Sequence, residues 1–335
     1  MPATNVLEPP CPVPVVLSGF GPVGQEFFNR LRANHHQDFY VAGIRGRADE
    51  VMLGPDAKVP ERAQWHPLTP IAEFLQRTGA LILVQAIPSS LEAHPRALEE
   101  SITALGRGVH VVSATKNHLL THWRELEAAA QTGGSRIRIS GATGAALPAA
   151  DLARIGVNGL NARAIRACPN GTSTFVLDRM GRGDSLEDAV KEAHRLGIAE
   201  SNTSADLSGS DAATKTRLIA GMLWGWDVAK IHVDTETIDE NSVRVAGASA
   251  SSSQRLRAVA SASVDQAMKV TVRLELVSSQ DPLFHLTGPE KAVTFSCPEA
   301  GDITVHGGRS SPAGAGLAMV KDVLNLLPTR TTGFH

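Results

Sequence analysis

The stretch from Ala199 to Lys215 gathers four side chains that could do chemistry, and these are Glu200, Asp206, Asp211 and Lys215. Asp211 and Lys215 are four residues apart, so on a helix they share one face. Such a pair is often a solvated surface pair worth roughly 0.2–0.5 kcal/mol. Small and apolar residues flank this pair, however, and predict a partly buried face. Because buried charges need a partner or a task, the sequence favours a site for proton transfer or for a charged substrate.

The spacing of these residues resembles the substrate loop of the homoserine dehydrogenase family. The chain fills every fixed position of that loop with Gly197, Glu200, Asp206, Leu207, Gly209, Asp211 and Lys215. The resemblance extends over residues 13–327. It implies an oxidoreductase that reversibly interconverts L-homoserine and L-aspartate 4-semialdehyde with a nicotinamide cofactor, in the biosynthesis of threonine and methionine. It also implies that Glu200 and Asp206 hold the ammonium group of the substrate.

The resemblance assigns the proton transfer to lysine. Lys215 is the predicted general acid and base, and Asp211 is predicted to orient it or to bind the substrate. Lys116 stands in a Ser-Ala-Thr-Lys turn, where the family has a threonine-alanine-asparagine-lysine turn. A loop lysine alone is usually only solvated, but the resemblance places Lys116 near the same substrate oxygen. Two close, partly desolvated ammonium groups disfavour each other's charge, so that one of them can serve as a base.

A glycine-rich turn follows the first predicted strand. The apolar run Val13–Leu17 precedes a G-x-G-x-x-G motif, and a helical pattern follows the motif. Glycines in this pattern permit a tight turn and let the backbone approach a pyrophosphate at the helix N-terminus. A glycine-rich turn of another α/β unit is the alternative. The predicted cofactor contacts are Gly19, Gly21, Pro22, Val23 and Gly24.

The end of the second predicted strand indicates which dinucleotide is bound. An NAD enzyme places an acidic residue about twenty residues beyond the glycines to hold the ribose 2′-hydroxyl. This chain has Arg45 and Arg47 there, and an arginine can hold a 2′-phosphate with its planar fork. The sequence therefore predicts that NADP(H) is preferred and that NAD(H) remains possible. A solvated loop arginine is the alternative.

The order of strands and helices predicts the α/β fold class. Their alternation through residues 13–140 is typical of a Rossmann-type, doubly wound parallel sheet. Ligands of such sheets bind at the carboxyl ends of the strands, so Ser113 should face the cofactor. Beyond Trp226 the β-rich stretches predict an α+β substrate and dimerisation domain with a mixed sheet. The resemblance implies that a homodimer forms through this second sheet.

Other residues gain roles from the resemblance alone. A turn that ends in proline would place Gly144 against the substrate and the nicotinamide. The loop Asn170-Gly171-Thr172-Ser173 matches a family loop and adds Asn170, Gly171 and Thr172 to the substrate site. A glycine-alanine-glycine turn before the last helix would place Gly314 at the cofactor.

The chain also departs from the family pattern. Ala145 and Ala146 stand where glycine is common, which leaves the shape of the substrate pocket open. Ser140 stands where the family often has a glutamate beside a monovalent-cation site, which leaves the cation open.

We predict four parts along the chain: a flexible arm (1–12), a nucleotide-binding domain (13–143), a substrate-binding and dimerisation domain (144–308), and a C-terminal helix that returns to the nucleotide domain with a tail (309–335). The chain has 335 residues, which is enough for two domains of ordinary size.

Composition excludes several classes of protein. Basic and acidic residues number 32 and 34 and aromatic residues 4%, so the sequence predicts no nucleic-acid partner. Three scattered cysteines suggest a reducing cytosol, and the twelve histidines lack metal-ligand spacing, so no metal is predicted. No signal-peptide pattern and no membrane-length apolar run occurs, which predicts a cytoplasmic protein without a membrane partner.

Two alternatives to a homoserine dehydrogenase stay open. One is a related NAD(P)-dependent dehydrogenase for another small hydroxy or amino acid, motivated by Ser140, Ala145 and Ala146. The other is a non-catalytic NADP-binding protein, against which the complete set of Lys116, Asp211 and Lys215 argues. A panel of substrates would separate the three.

Overall fold

The computed structural model describes residues 12–199, 202–247, 253–308 and 310–326. The predicted arm (apart from its last residue), Glu200 and the tail from residue 327 lie outside the described residues. Within the described residues two β-sheets carry the fold, one of seven strands and one of six.

The first sheet is mainly parallel, as predicted. Its strands are β1 (Val13–Ser18), β2 (Phe39–Arg45), β3 (Asp49–Met52), β4 (His66–Pro67), β5 (Ile82–Gln85), β6 (His110–Ser113) and β7 (Ile137–Arg138). Their order is β4-β3-β2-β1-β5-β6-β7, and β3 and β4 extend one edge as antiparallel strands. These two strands were not predicted, because they are short and polar and show no two-residue alternation of apolar and polar residues.

Helices cover both faces of this sheet. On β1, Val15 and Leu17 pack in one hydrophobic cluster with Phe27, whereas Val16 packs in another cluster with Phe74. Alternate side chains of a strand point to opposite faces, so this division shows a doubly wound sheet and explains the continuous apolar run. The covering helices are α1 (Pro22–His35), α2 (Ile71–Thr78), α3 (His94–Gly106), α4 (Asn117–Thr121) and α5 (Trp123–Gly133).

A break between α4 and α5 fixes the position of Lys116. The apolar spacing of residues 119–130 would fit a single helix, but the backbone leaves the helical region at His122, with φ −128° and ψ 34°. The preceding helix α4 is therefore a short segment that begins directly after β6. Lys116 is its N-cap residue and lies at the carboxyl end of the sheet.

The second sheet is mixed, as predicted. Its strands are β8 (Ala164–Cys168), β9 (His232–Thr235), β10 (Gln254–Ser263), β11 (Lys269–Ser278), β12 (Lys291–Cys297) and β13 (Gly301–Gly307). Their order is β13-β12-β8-β10-β11-β9, and only the pair β9–β11 is parallel. The remaining helices are α6 (Ser140–Thr143), α7 (Ala149–Asp151), α8 (Gly171–Met180), α9 (Leu186–Arg195), α10 (Ser204–Leu207), α11 (Ser210–Trp224), α12 (Glu240–Gly247) and α13 (Pro312–Leu324).

The last helix, α13, packs against α1 of the first sheet. A Cβ on Gly316 would lie 2.8 Å from the Cβ of Glu26, so the two helices approach closely because this residue is glycine. Gly314 was predicted in a turn at the cofactor, but α13 begins earlier and Gly314 is buried in its first turn. Its N–H donates to Ser311 Oγ at 3.0 Å, which caps the helix start, and its contact with the cofactor stays a prediction.

Candidate active site

Two lysines from different parts of the chain share one carboxylate. Lys116 Nζ lies 2.7 Å from Asp211 Oδ1, and Lys215 Nζ lies 2.6 Å from Asp211 Oδ2. Lys116 comes from the end of β6 in the first sheet, whereas Asp211 and Lys215 come from α11. The side chain of Asp211 is 13% exposed, which excludes the solvated surface pair. The structure thus brings all three predicted catalytic residues together.

The charge of Asp211 is set by these two neighbours. Burial alone would raise the pKa of its carboxyl, but the ammonium groups of Lys215 and Lys116 together outweigh burial. The pKa of Asp211 therefore lies well below its ordinary value. Asp211 stays ionised at any working pH and holds both lysines in place.

Asn170 connects this cluster to the substrate loop. Its Oδ1 accepts from Ser173 N at 2.9 Å and so caps α8. Its Nδ2 donates to Asp206 Oδ1 at 2.5 Å and to Asp211 Oδ2 at 2.8 Å. The preceding residue, Pro169, accepts a hydrogen bond from Lys215 Nζ at 3.0 Å. The start of α8 therefore aligns both the lysine and two of the predicted carboxylates.

Gly171 and Thr172 are buried in the first turn of α8, beside the cluster. A Cβ on Gly171 would lie 2.4 Å from Pro289 O, so glycine permits the loop before β12 to pack there. Thr172 Oγ1 donates to Ile198 O at 3.4 Å. These contacts place both residues near the loop that leads to Glu200, and their contact with substrate stays a prediction.

Lys291 is a residue of this region that the sequence reasoning missed. It opens β12, is 1% exposed, and its Nζ donates to Gly144 O at 2.7 Å. Burial, Lys215 and Lys116 together lower the pKa of Lys291 to about 7, against the opposite effect of Asp211. Nothing in the pattern around residue 291 marks this lysine, because its neighbours come from distant segments.

Gly144 lies in the turn after α6, next to Ala145, which is one of the departures from the family pattern. The next residue, Ala145, has φ 50°, in the left-handed region that favours glycine. The glycine-type backbone is therefore kept although alanine stands there.

The glycine motif forms a cradle that fits a dinucleotide. Gly19 has φ 96°, and a Cβ there would lie 2.4 Å from Ala86 O. A Cβ on Gly24 would lie 2.1 Å from Gly19 O. Gly21 is the N-cap residue of α1, Pro22 and Val23 open that helix, and no side chain caps it. Free backbone N–H groups at the end of this helix are suited to a pyrophosphate.

This cradle leads to a prediction with an internal control. Gly24→Ala should lower stability by about 1–3 kcal/mol through the clash with Gly19 O and should weaken NADPH binding. Gly21→Ala has open space around its new Cβ, so this variant should fold normally and still lose NADPH affinity. Thermal unfolding and fluorescence titration with NADPH measure the two effects. Normal NADPH affinity in both variants would contradict the assignment.

Ser113 holds the turn after β6 with its side chain. It is fully buried, and its Oγ accepts from Thr115 N at 3.1 Å. We predicted that Ser113 faces the cofactor, but its hydroxyl is used inside the protein. The side chain of Ser113 therefore stabilises the turn. Further along this turn, the side chain of Lys116 is partly exposed.

Arg45 does not face the cofactor, contrary to the prediction. The residue is 4% exposed, with Nη1 at 2.5 Å from Glu50 Oε2 and Nε at 3.1 Å from Glu100 Oε1. Nη2 donates to Thr69 O at 3.0 Å. The interpretation of Arg45 as a phosphate clamp is wrong, because antiparallel pairing with β3 sets Glu50 opposite it and neutralises it.

Two other arginines, Arg47 and Arg62, lie at the turn between β2 and β3. Arg47 belongs to this turn and is exposed. Arg62 packs over the ring of Trp65 at 4.0 Å and pairs with Asp49, with Nε at 2.6 Å from Oδ2. A Cβ on Gly46 would lie 2.0 Å from Arg62 Nη2, so this guanidinium lies against the backbone directly after β2.

The surroundings of Ser140 do not fit a monovalent cation. Ser140 Oγ donates to Asp322 Oδ1 at 2.7 Å, and Ser140 N donates to Asp322 Oδ2 at 2.9 Å. Lys321 Nζ donates to Ser140 Oγ at 2.9 Å and also bonds Asp151. An ammonium group of the chain itself thus supplies the positive charge at this position, and we route no chemistry through a cation.

The described ranges also bear on a membrane span and on a metal site. No helix there combines the length and the apolar character needed to cross a bilayer. No group of three or more His, Cys, Asp or Glu side chains in those ranges could hold a metal ion.

A dinucleotide cradle beside a lysine–carboxylate cluster is the arrangement of an NAD(P)-dependent oxidoreductase that acts on a CH–OH group. The homoserine dehydrogenase family model matches residues 148–324, and the model of the homoserine dehydrogenase NAD binding domain matches residues 19–140. The chain belongs to the homoserine dehydrogenase family.

Individual relatives agree with the family. The homoserine dehydrogenase of Sulfurisphaera tokodaii is 25% identical over 315 residues, which cover 93% of this chain and 98% of that protein. The NAD(+)-dependent homoserine dehydrogenase of Pseudomonas canavaninivorans is 27% identical over 230 residues, which cover 68% of this chain and 65% of that protein.

Solved structures share the fold. A hyperthermophilic archaeal homoserine dehydrogenase in complex with NADPH superposes with a TM-score of 0.77 at 22% identity, covering 94% of this chain and 97% of that one. A homoserine dehydrogenase from Thiobacillus denitrificans gives a TM-score of 0.78 at 23% identity, covering 94% of this chain and 73% of that one.

Proposed function

We propose that this homoserine dehydrogenase interconverts L-homoserine and L-aspartate 4-semialdehyde with NADP(H) as the preferred cofactor, in the cytoplasm and as part of threonine and methionine biosynthesis. The observation that carries the proposal is the shared carboxylate of Asp211, which holds Lys116 and Lys215 beside the carboxyl end of the nucleotide-binding sheet. The family implies the substrate pair.

The proposed proton transfer follows from the hydrogen bonds of Lys215. A lysine ammonium has three hydrogens. Two of those on Lys215 are donated to Asp211 Oδ2 and Pro169 O, which leaves the third for a substrate oxygen. Bound NADP(H) supplies the hydride. In the reducing direction Lys215 gives its third proton to the aldehyde oxygen, which becomes the hydroxyl. In the oxidising direction the neutral amine accepts that proton.

Other residues have supporting roles in this proposal. Lys116 contributes positive charge near the same oxygen, where charge develops in the transition state. Asp211 fixes the two amines, and Asn170 fixes Asp211. Asp206 is proposed to hold the substrate ammonium together with Glu200.

The proposed preference for NADP rests on Arg47 and Arg62 in place of Arg45. Arg62 lies against the backbone of Gly46, where a ribose 2′-phosphate of a Rossmann-bound dinucleotide is expected. Its ion pair with Asp49 reduces the repulsion between that carboxylate and a phosphate. Relatives support both cofactors, since one structure holds NADPH and one relative is named as NAD(+)-dependent.

This preference can be measured. Arg62→Met should raise KM for NADP by about tenfold, because a charge-assisted hydrogen bond to the 2′-phosphate is lost, and should change KM for NAD much less. Arg107→Met, at an exposed position after α3, is the matched control. An equal change for both cofactors would show that Arg62 acts on the fold and not on the phosphate.

The function itself is tested by following NADPH absorbance with aspartate semialdehyde, and by the reverse reaction with L-homoserine and either NADP or NAD. Turnover with both substrates supports the proposal. Bound NADPH without turnover would favour a dehydrogenase for another small hydroxy or amino acid, which Ala145 and Ala146 motivate. No turnover on any such substrate would favour a non-catalytic binder.

A homodimer is the proposed assembly. The family and the six-stranded second sheet support it, because an open sheet face is a natural surface for a second copy. Light scattering coupled to gel filtration gives the mass directly.

A further inference from the structure

Lys291 lies next to the proposed catalytic lysine although 76 residues separate them in sequence. The strands β8 and β12 are antiparallel, with Ala292 opposite Cys168, so Lys291 lies beside Pro169. The carbonyl of Pro169 accepts the hydrogen bond from Lys215 Nζ. On the other side, Lys291 Nζ reaches Gly144 O in the turn after α6. Lys291 therefore bridges the two segments that flank the proposed substrate position.

The side chain of Lys291 is buried and has no counter-ion within the described ranges. No carboxylate oxygen there lies within 4 Å of its Nζ, which donates to the carbonyl of Gly144. An ammonium group has three hydrogens, so two are left for other acceptors. A charged group in such surroundings is costly unless a partner arrives.

The charges of the cluster point to the kind of partner. Both oxygens of the Asp211 carboxylate are already bonded to Lys116 and Lys215. Lys291 is a third lysine within electrostatic range of these groups. The nearby Asp206 accepts a hydrogen bond from Asn170. The region around Lys291 is therefore electropositive and buried, which suits an anion.

We propose that Lys291 binds the α-carboxylate of the amino-acid substrate at the Gly144 turn. This proposal rests on the proposed function and adds to it a recognition residue. It makes Lys291 a determinant of the preference for amino acids over simple alcohols. The roles of Lys215 and Lys116 in proton transfer are unchanged.

Binding of a carboxylate at Lys291 should be linked to a proton. Burial, Lys215 and Lys116 lower the pKa of Lys291 to about 7 in the free protein, against the opposite effect of Asp211. A carboxylate beside the amine favours its charged form and raises that pKa. Substrate binding above about pH 7 should therefore take up a proton, and affinity for the carboxylate should fall as pH rises.

The first experiment measures two ligands with wild type and with the Lys291→Met variant. L-Homoserine carries the carboxylate, and 3-aminopropan-1-ol is the same molecule without it. In Lys291→Met we expect kcat/KM for L-homoserine to fall about ten- to a hundredfold, because KM rises. For 3-aminopropan-1-ol we expect kcat/KM, or the inhibition constant if it is not turned over, to stay near the wild-type value. Lys269→Met, at the start of β11 in the same sheet, is the matched control.

Other outcomes overturn the proposal. A fall in kcat with both ligands would make Lys291 a proton-transfer or purely structural residue. Lys291→Gln keeps a donor for Gly144 O and serves if the methionine variant fails to fold. It should show the same loss of discrimination, and an unchanged ratio between the two ligands would refute carboxylate binding. If wild type does not turn over L-homoserine, it is the proposed function that fails.

Calorimetry gives an independent readout. Titration of L-homoserine into wild type at about pH 8, in buffers of different ionisation enthalpy, should show net proton uptake, and Lys291→Gln should show none. Equal proton uptake by both proteins would contradict the assignment of the proton to Lys291.

Discussion

Lys215→Met should lower kcat in both directions by about 10²–10⁴-fold, which is the usual contribution of a positioned acid or base. The structure gives the reason, since Lys215 is 12% exposed and is held by Asp211 and Pro169 with one hydrogen free. Methionine has a similar length and no proton to give. Binding of NADPH should remain close to wild type, because the cradle at Gly19 is distant in the chain and is built by other residues.

The matched control for this variant is Lys191→Met on α9, where the lysine is 66% exposed and pairs with Glu187. It should leave kcat unchanged. Full turnover by Lys215→Met would remove Lys215 from the mechanism and would turn attention to Lys116. Steady-state assays together with NADPH titration separate these results.

Asp211→Asn should damage both stability and rate. Removal of one member of a buried ion pair costs about 3–5 kcal/mol, and here the change leaves Lys116 and Lys215 without their shared carboxylate. The two amines should then move apart, so that kcat falls as well. Urea unfolding and kcat are the measurements, and Asp265→Asn, an exposed partner of Arg163, is the control.

The pH dependence of this effect has a definite sign. The two lysines hold the pKa of Asp211 below its value in the unfolded chain, which is about 3.9. Its contribution to stability is therefore present above about pH 4 and is lost as pH falls through the folded-state pKa. The stability difference between wild type and Asp211→Asn should narrow in acid. A difference that does not change with pH would contradict the ion-pair account.

Sequence reasoning succeeded where the relevant residues are close in the chain. The strand, glycine turn and helix around Gly19 to Gly24 form a local pattern, and so do Asp211 and Lys215 on one helix face. The position of Lys116 was predicted correctly because the carboxyl ends of all parallel strands lie at the same edge of the sheet. The resemblance added the roles that spacing alone could not assign.

Sequence reasoning failed where a partner from a distant part of the chain decides the role of a residue. Arg45 has the right position for a phosphate contact, but Glu50 and Glu100 reach it from β3 and α3 and bury its charge. Lys291 looked like an ordinary strand residue, and only the pairing of β12 with β8 sets it beside the active site.

The packing of α13 on α1 means that the nucleotide-binding half is assembled from both ends of the described chain. Met319 and Val323 of α13 share a hydrophobic cluster with Phe27 and Leu31 of α1, and Asp322 fixes Ser140. The residues between α6 and α13 carry the second sheet, so the chain leaves the first sheet once and returns to it once. A single proteolytic cut at either crossing would therefore leave the two parts covalently joined by the other crossing.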